Sequence, residues 1–123
     1  MARSVNITRS VSITSGSTTI LTLPSVTKQK TQTTDRYILL TKSVGTSEES
    51  IDPSTLDIST NGYCYIINLD ATNYVEWGTT TTDYCGKVEA ADYAGPFQLN
   101  AGKTLYLKAN TAACEVQVLI TAK

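Results

Sequence analysis

The sequence predicts an all-β fold, an antiparallel β-sandwich of about eight short strands for which a jelly-roll-like order is one solution. Three observations carry this. Threonine and tyrosine are abundant, and β-branched and aromatic side chains suit a pleated, half-buried surface. No leucine- or alanine-rich stretch keeps a 3.6-residue period. Turn signals recur every 8 to 12 residues or so, the rhythm of a sandwich or barrel. A chain of 123 residues fits one domain, since that length buries about two-thirds of its unfolded surface without staples.

In "SVNITRSVSIT" the apolar residues Val5, Ile7, Val11 and Ile13 fall at odd positions with Arg9 interrupting, which predicts a long strand with one wet face. Ser15-Gly16-Ser17 is a turn, and "TTILTL" returns as a second strand that Pro24 stops. The polar run from 25 to 35 reads as a loop or as an edge strand whose lysines discourage pairing. Tyr37 to Leu40 form an apolar run suited to the middle of a sandwich, both faces partly covered. "SVGTSEESIDPSTLD" reads as the longest surface loop.

After Asn61-Gly62, Tyr63, Tyr65, Ile67 and Leu69 share one face of a strand and Cys64, Ile66 and Asn68 the other. The stretch "INLDATNYVEWG" then reads as a hairpin, because Asp70 and Asn73 bracket four residues suited to a type I turn. A short helical turn near Val88 to Tyr93 is expected, then a break at Gly95-Pro96 and a short strand "PFQL". Asn100 to Lys103 turn the chain into "TLYLKA", with Leu105 and Leu107 inward and Tyr106 and Lys108 outward. "NTAA" turns again, and the last strand puts Val116, Val118 and Ile120 on one face.

Composition narrows the chemistry. Ten basic residues against eleven acidic ones make the surface nearly neutral, which argues against nucleic acid, whose binding rests on clustered Lys and Arg, and against anionic membranes. "MARSVNITRS" has no apolar signal-peptide core and no run reaches the roughly 18 apolar residues of a membrane span, so a soluble, cytosolically made chain is expected. The sequon Asn6-Ile7-Thr8 is then only a pattern.

The chain has no histidine, which removes Ser-His-Asp and Cys-His catalysis and the usual proton shuttle near neutral pH. Glu76, Asp83, Glu89 and Asp92 offer carboxylates for a glycosidase pair, but any small acidic surface does so. No catalytic residue is assigned, and the expectation is a non-enzyme. Cys64, Cys85 and Cys114 are widely spaced and odd in number, so they read as free, buried or half-buried thiols, with one disulfide plus one free thiol the alternative. No zinc pattern, EF-hand loop or phosphate-binding glycine loop is present, and neither a metal nor a cofactor is expected. Tyr74, Trp77, Phe97 and Tyr106 are the candidate packing or interface anchors; Trp77 with Tyr74, Tyr84 and Tyr93 would alternatively offer a platform for sugar rings.

Three stretches, "TRSVSITSGSTTI", "YIINLDATNYVEWG" and "FQLNAGKTLYLKANTAACEVQVLI", resemble small virion structural proteins of tailed bacteriophages, most strongly over residues 63 to 120. The resemblance implies a non-enzymatic β-sandwich at a repeated position in a virus particle: a capsid decoration or cement protein contacting the major capsid protein, or a neck, tail or fibre-attachment component. It implies homo-oligomers, a trimer among them, with avidity from symmetry, and it leaves residues 1–14 as a strand or an arm along a neighbouring subunit. A carbohydrate-binding module is the rival of a different class.

Overall fold

The computed structural model describes residues 3–33 and 36–123; the first two residues of the basic "MARS" segment and the last two of the polar 25–35 run lie outside them. The chain divides into two compact units, residues 1–33 and 34–123, and each is described by itself.

The first unit is a two-stranded antiparallel hairpin, β1 (Ser4–Ser15) and β2 (Thr18–Thr31). Gly16-Ser17 form its two-residue loop, and a φ of 59° at Gly16 places a left-handed conformation at the first loop position, which matches the twist of the flanking strands and suits glycine. Pro24 does not stop the second strand. The register passes from Arg9↔Val26 to Val11↔Leu23, so Pro24 and Ser25 together face Ser10. A bulge is where a strand tolerates a residue with no N–H to give. A second register shift between Ile13↔Leu21 and Thr14↔Thr19 leaves Ile20 as an extra residue. The bulge at Pro24 has a consequence for packing: it keeps Leu21 and Leu23 opposite Ile13 and Val11, where unbroken alternation from Val26 would have turned them to the other face.

The second unit holds eight strands: β3 (Tyr37–Val44), β4 (Glu49–Ile51), β5 (Asn61–Asn68), β6 (Val75–Gly78), β7 (Gly86–Val88), β8 (Tyr93–Gln98), β9 (Leu105–Ala109) and β10 (Cys114–Ala122). They form two four-stranded sheets, β3-β10-β5-β8 and β4-β9-β6-β7, with every described pairing antiparallel. Successive strands cross from one sheet to the other except for β6 and β7, which is the order of a jelly roll. The predicted all-β sandwich is therefore observed, with the eight sandwich strands all drawn from the second unit.

Alternation puts the core where the sequence placed it. Val116, Val118 and Ile120 of β10 are fully buried, as are Cys64 and Ile66 of β5 and Leu105 and Leu107 of β9. Val118 lies between Leu40 and Ile66 in the central register, so the middle of this sheet face is an apolar layer against the other sheet.

Four local expectations are corrected. The stretch around Asp70 is not a hairpin: β5 pairs with β10 and β8, β6 with β9 and β7, and the loop between them is a corner that carries the chain across the sandwich. Among the described residues, β6 and β7 are the sandwich strands that are both consecutive and paired. The run Tyr37 to Leu40 lies on an outer strand of its sheet, with Tyr37 and Leu39 exposed instead of covered. The helical turn falls at Pro53–Leu56, inside the expected loop, where the Asp52 carboxylate accepts from the Ser54 N–H (3.0 Å) and Ser54 Oγ–H (2.8 Å) and Pro53 starts the turn. At residues 88 to 93 there is only a tight turn closed by the Asp92 N–H on the Glu89 carbonyl. Gly95-Pro96, read as a break, sit inside β8 opposite the single residue Tyr65, again at a bulge.

Candidate interaction surfaces

The corner at Asp70 shows what its polar residues do. The Asn68 side chain is buried, and its amide donates to the carbonyls of Asn73 (2.8 Å), Val88 (3.2 Å) and Glu89 (3.2 Å) while its Oδ1 accepts from the Asp70 N–H (3.0 Å). The Asp70 carboxylate then accepts from the Thr72 and Asn73 N–H groups at 2.9 and 2.6 Å. Those two bonds hold its pKa below the ordinary value. The carboxylate and amides are thus consumed by backbone groups, the work of a turn and not of a ligand shell. Among the described residues no three of Cys, Asp and Glu gather to hold a metal ion.

A second carboxylate pins the β6–β7 loop. Glu48 accepts from the Thr81 hydroxyl, the Thr82 N–H (2.7 Å) and the Tyr84 hydroxyl (2.9 Å). The Thr81 and Thr82 bonds lower its pKa, and burial followed by Glu48 raises that of Tyr84. Glu76, Asp83, Glu89 and Asp92, the acids considered for a glycosidase, are not drawn into one cluster.

The four aromatic anchors are all half-buried. Trp77 pairs with Leu107 in register and so faces the interior, where it stacks on Phe97 of the opposite sheet at 4.8 Å between centroids and 13° between planes. Gly86 lies directly across: a Cβ there would stand 2.7 Å from the indole Nε1, so only glycine leaves room for the ring. Trp77 and Phe97 therefore tie the two sheets together. Tyr74 faces the Lys87 ammonium, 4.8 Å from its ring centroid, and donates its N–H to Asn110. Tyr106 pairs with Ser50 and Gly78 on β9, pointing away from the core as expected. Tyr84 is held by Glu48 and Tyr93 lies on the other sheet, so the proposed sugar platform is split between separate places.

The thiols are free. Cys64 and Cys114 are buried and Cys85 is exposed; burial pushes the Cys64 thiol up to about 12 and raises that of Cys114.

Two faces carry exposed apolar side chains. On the hairpin, Val5, Ile7, Val11 and Ile13 share one face with Leu21, Leu23 and Val26, and Val11, Ile13, Leu21, Leu23 and Val26 are each 41–49% exposed. On the sandwich, the outer face of β3-β10-β5-β8 presents Leu39, Leu119, Tyr65, Ile67 and Tyr93, with Leu39 56% and Tyr93 61% exposed and Tyr65 and Tyr93 in edge contact at 5.7 Å. A sequence pattern identifies which residues share such a face but not whether anything lies over it.

Charge separates the same two units. Residues 1–33 hold Arg3, Arg9, Lys28 and Lys30 and no acid, a balance of +4, while residues 34–123 hold the other six cations and all eleven acids, a balance of −5. The near-neutral total conceals this partition, which was readable in the sequence once the unit boundary was known.

The fold thus defines the class, an antiparallel jelly-roll sandwich with an added amphipathic hairpin. No protein-family model, curated protein or solved structure matches the chain.

Proposed function

We propose that this chain is a non-enzymatic structural protein of a bacteriophage virion, a capsid decoration or cement protein that bridges and stabilises major capsid subunits. The observation that carries the reading is the uncovered apolar stripe of the hairpin. An isolated two-stranded hairpin is marginal in water, and one that exposes a row of aliphatic side chains on a long ribbon gains its stability from partners. The jelly roll is an architecture used by viral capsid and lectin domains, and the sequence resemblance to tailed-phage virion proteins selects between those uses. In this reading, exposed apolar contact and strand pairing between neighbours raise the barrier to capsid rupture.

Localisation by electron microscopy in an intact particle tests it. Hundreds of copies spread over the capsid are expected. A single ring of about six or twelve copies would make the chain a neck or tail component instead, and absence from the particle would overturn the reading. The carbohydrate-binding alternative is weakened by Trp77, whose ring is stacked on Phe97. A glycan array with the wild type checks that alternative, and specific glycan binding would revive it.

A further inference from the structure

We infer that the β6–β7 loop is an acid-released flap: the Glu48 carboxylate holds residues 79–84 down on the outer face of the β4-β9-β6-β7 sheet, and neutralising that carboxylate frees the flap while the sandwich stays folded. The register places the parts. Val75 and Trp77 of β6 face the interior, so Glu76 and Gly78 face outward, opposite Lys108 and Tyr106 of β9. Gly78 is buried, and a Cβ on it would collide with the Asp83 carbonyl, so the loop lies directly on the outward side of β6. Glu48 precedes β4, one residue beyond the Glu49↔Leu107 pair and so beside Lys108. Since β9 separates β4 from β6, the bonds that Thr81, Thr82 and Tyr84 give to Glu48 run across β9.

Two features make Glu48 a latch and not part of the frame. The loop's other hydrogen bonds are local: the Asp83 N–H to the Thr80 carbonyl (3.2 Å), the Cys85 N–H to the Trp77 carbonyl (3.0 Å) and the Thr82 hydroxyl to the Thr81 carbonyl (2.7 Å). Among the described residues, then, Glu48 alone ties this loop by hydrogen bonds to a distant part of the chain. Thr82 has a φ of 59°, a left-handed conformation that a β-branched residue adopts only under constraint. Its N–H is one of the three donors to Glu48 (2.7 Å), so removing the charge weakens a bond at the strained residue itself. The β6–β7 ladder and the Trp77–Phe97 stack do not involve Glu48, and the sheet beneath the flap persists without it. The neighbouring groups set the direction. Lys108 favours the charged form of Glu48, and Tyr84 donates to it as a neutral hydroxyl. Glu76 and Lys87 continue the outward row beyond Lys108, Asp83 lies in the flap, and Glu49 turns away to the Gly45 N–H (3.2 Å). The Thr81 and Thr82 bonds keep the Glu48 carboxyl below its ordinary 4.5. The latch is therefore complete above that value and is lost as pH falls through the lower folded-state one. Opening uncovers the outward strip of Gly78 and Tyr106 and frees the Tyr84 hydroxyl. This inference does not depend on the virion reading, since it concerns the purified protein alone.

The test is amide hydrogen exchange of the full-length chain, followed residue by residue by NMR for the wild type and Glu48→Gln from neutral pH down to about pH 3. At neutral pH the neutral variant is expected to lower the protection of the Thr82 amide about tenfold or more, with Val118 and Ile120 of β10 unchanged as the check on folding. The wild type is expected to lose Thr82 protection in acid while β10 stays protected, and Glu48→Gln to show no such acid step. A Thr82 amide as protected in Glu48→Gln as in the wild type overturns the inference. So does a wild type in which Thr82 and β10 lose protection together, because Glu48 would then belong to global unfolding and not to a flap.

Discussion

At the scale of single residues, the acids of this chain act as fasteners for backbone. Asp70 holds two N–H groups of its corner, and Glu48 holds one N–H and two hydroxyls of the β6–β7 loop. Both carboxyls have their pKa lowered from 3.8 and 4.5 respectively. A lowered folded-state pKa gives stability that is fully present above the unfolded value and is lost as pH falls through the folded one. Stability should therefore decline on acidification below about pH 4, and Asp70→Asn and Glu48→Gln should each flatten that decline in urea titrations run from neutral to acid pH. The thiols give a second residue-scale expectation. Cys85 alone should react rapidly with a thiol reagent at mildly alkaline pH, while Cys64, raised to about 12, and buried Cys114 should react only on unfolding. Counting modified residues by mass spectrometry before and after denaturant checks it.

At the scale of elements, the corner between β5 and β6 is the informative case. Its turn chemistry was legible: Asp70 and Asn73 do close a tight loop. The partner of each flanking strand was not legible, because local chemistry fixes where a chain reverses and not which strands it reverses between. Asn68 contributes to that choice, since one buried amide binds carbonyls of the corner and of the segment around Val88 and so fastens β5 to the far end of the β6–β7 hairpin. Asn68→Leu should cost about 1–3 kcal/mol by leaving these groups unpaired, measured by chemical denaturation. The two misread prolines follow a shared rule. Pro24 and Pro96 both lie at bulges, where the missing N–H costs no ladder bond. A proline in an apolar run therefore marks either a strand's end or a bulge, and strand pairing decides between them.

At the scale of the molecule, the core belongs to one unit. Every buried core residue lies between Val44 and Ala122, and the hairpin adds none. A chain lacking residues 1–33 should therefore still unfold in one cooperative transition. Differential scanning calorimetry of the truncated chain checks it.

The sequence by itself determined the alternation that makes each strand one-faced, the positions of most turns, the inward residues of β5, β9 and β10, and the absence of histidine chemistry. These follow from two-residue periodicity and from the φ, ψ and hydrogen-bonding habits of Asp, Asn and Gly, all of which act over a few residues. Tertiary structure alone decided that consecutive strands cross between sheets and that Trp77 reaches Phe97 in place of solvent. Pairing and burial depend on contacts between residues distant along the chain, and no local pattern encodes which distant partner will satisfy them.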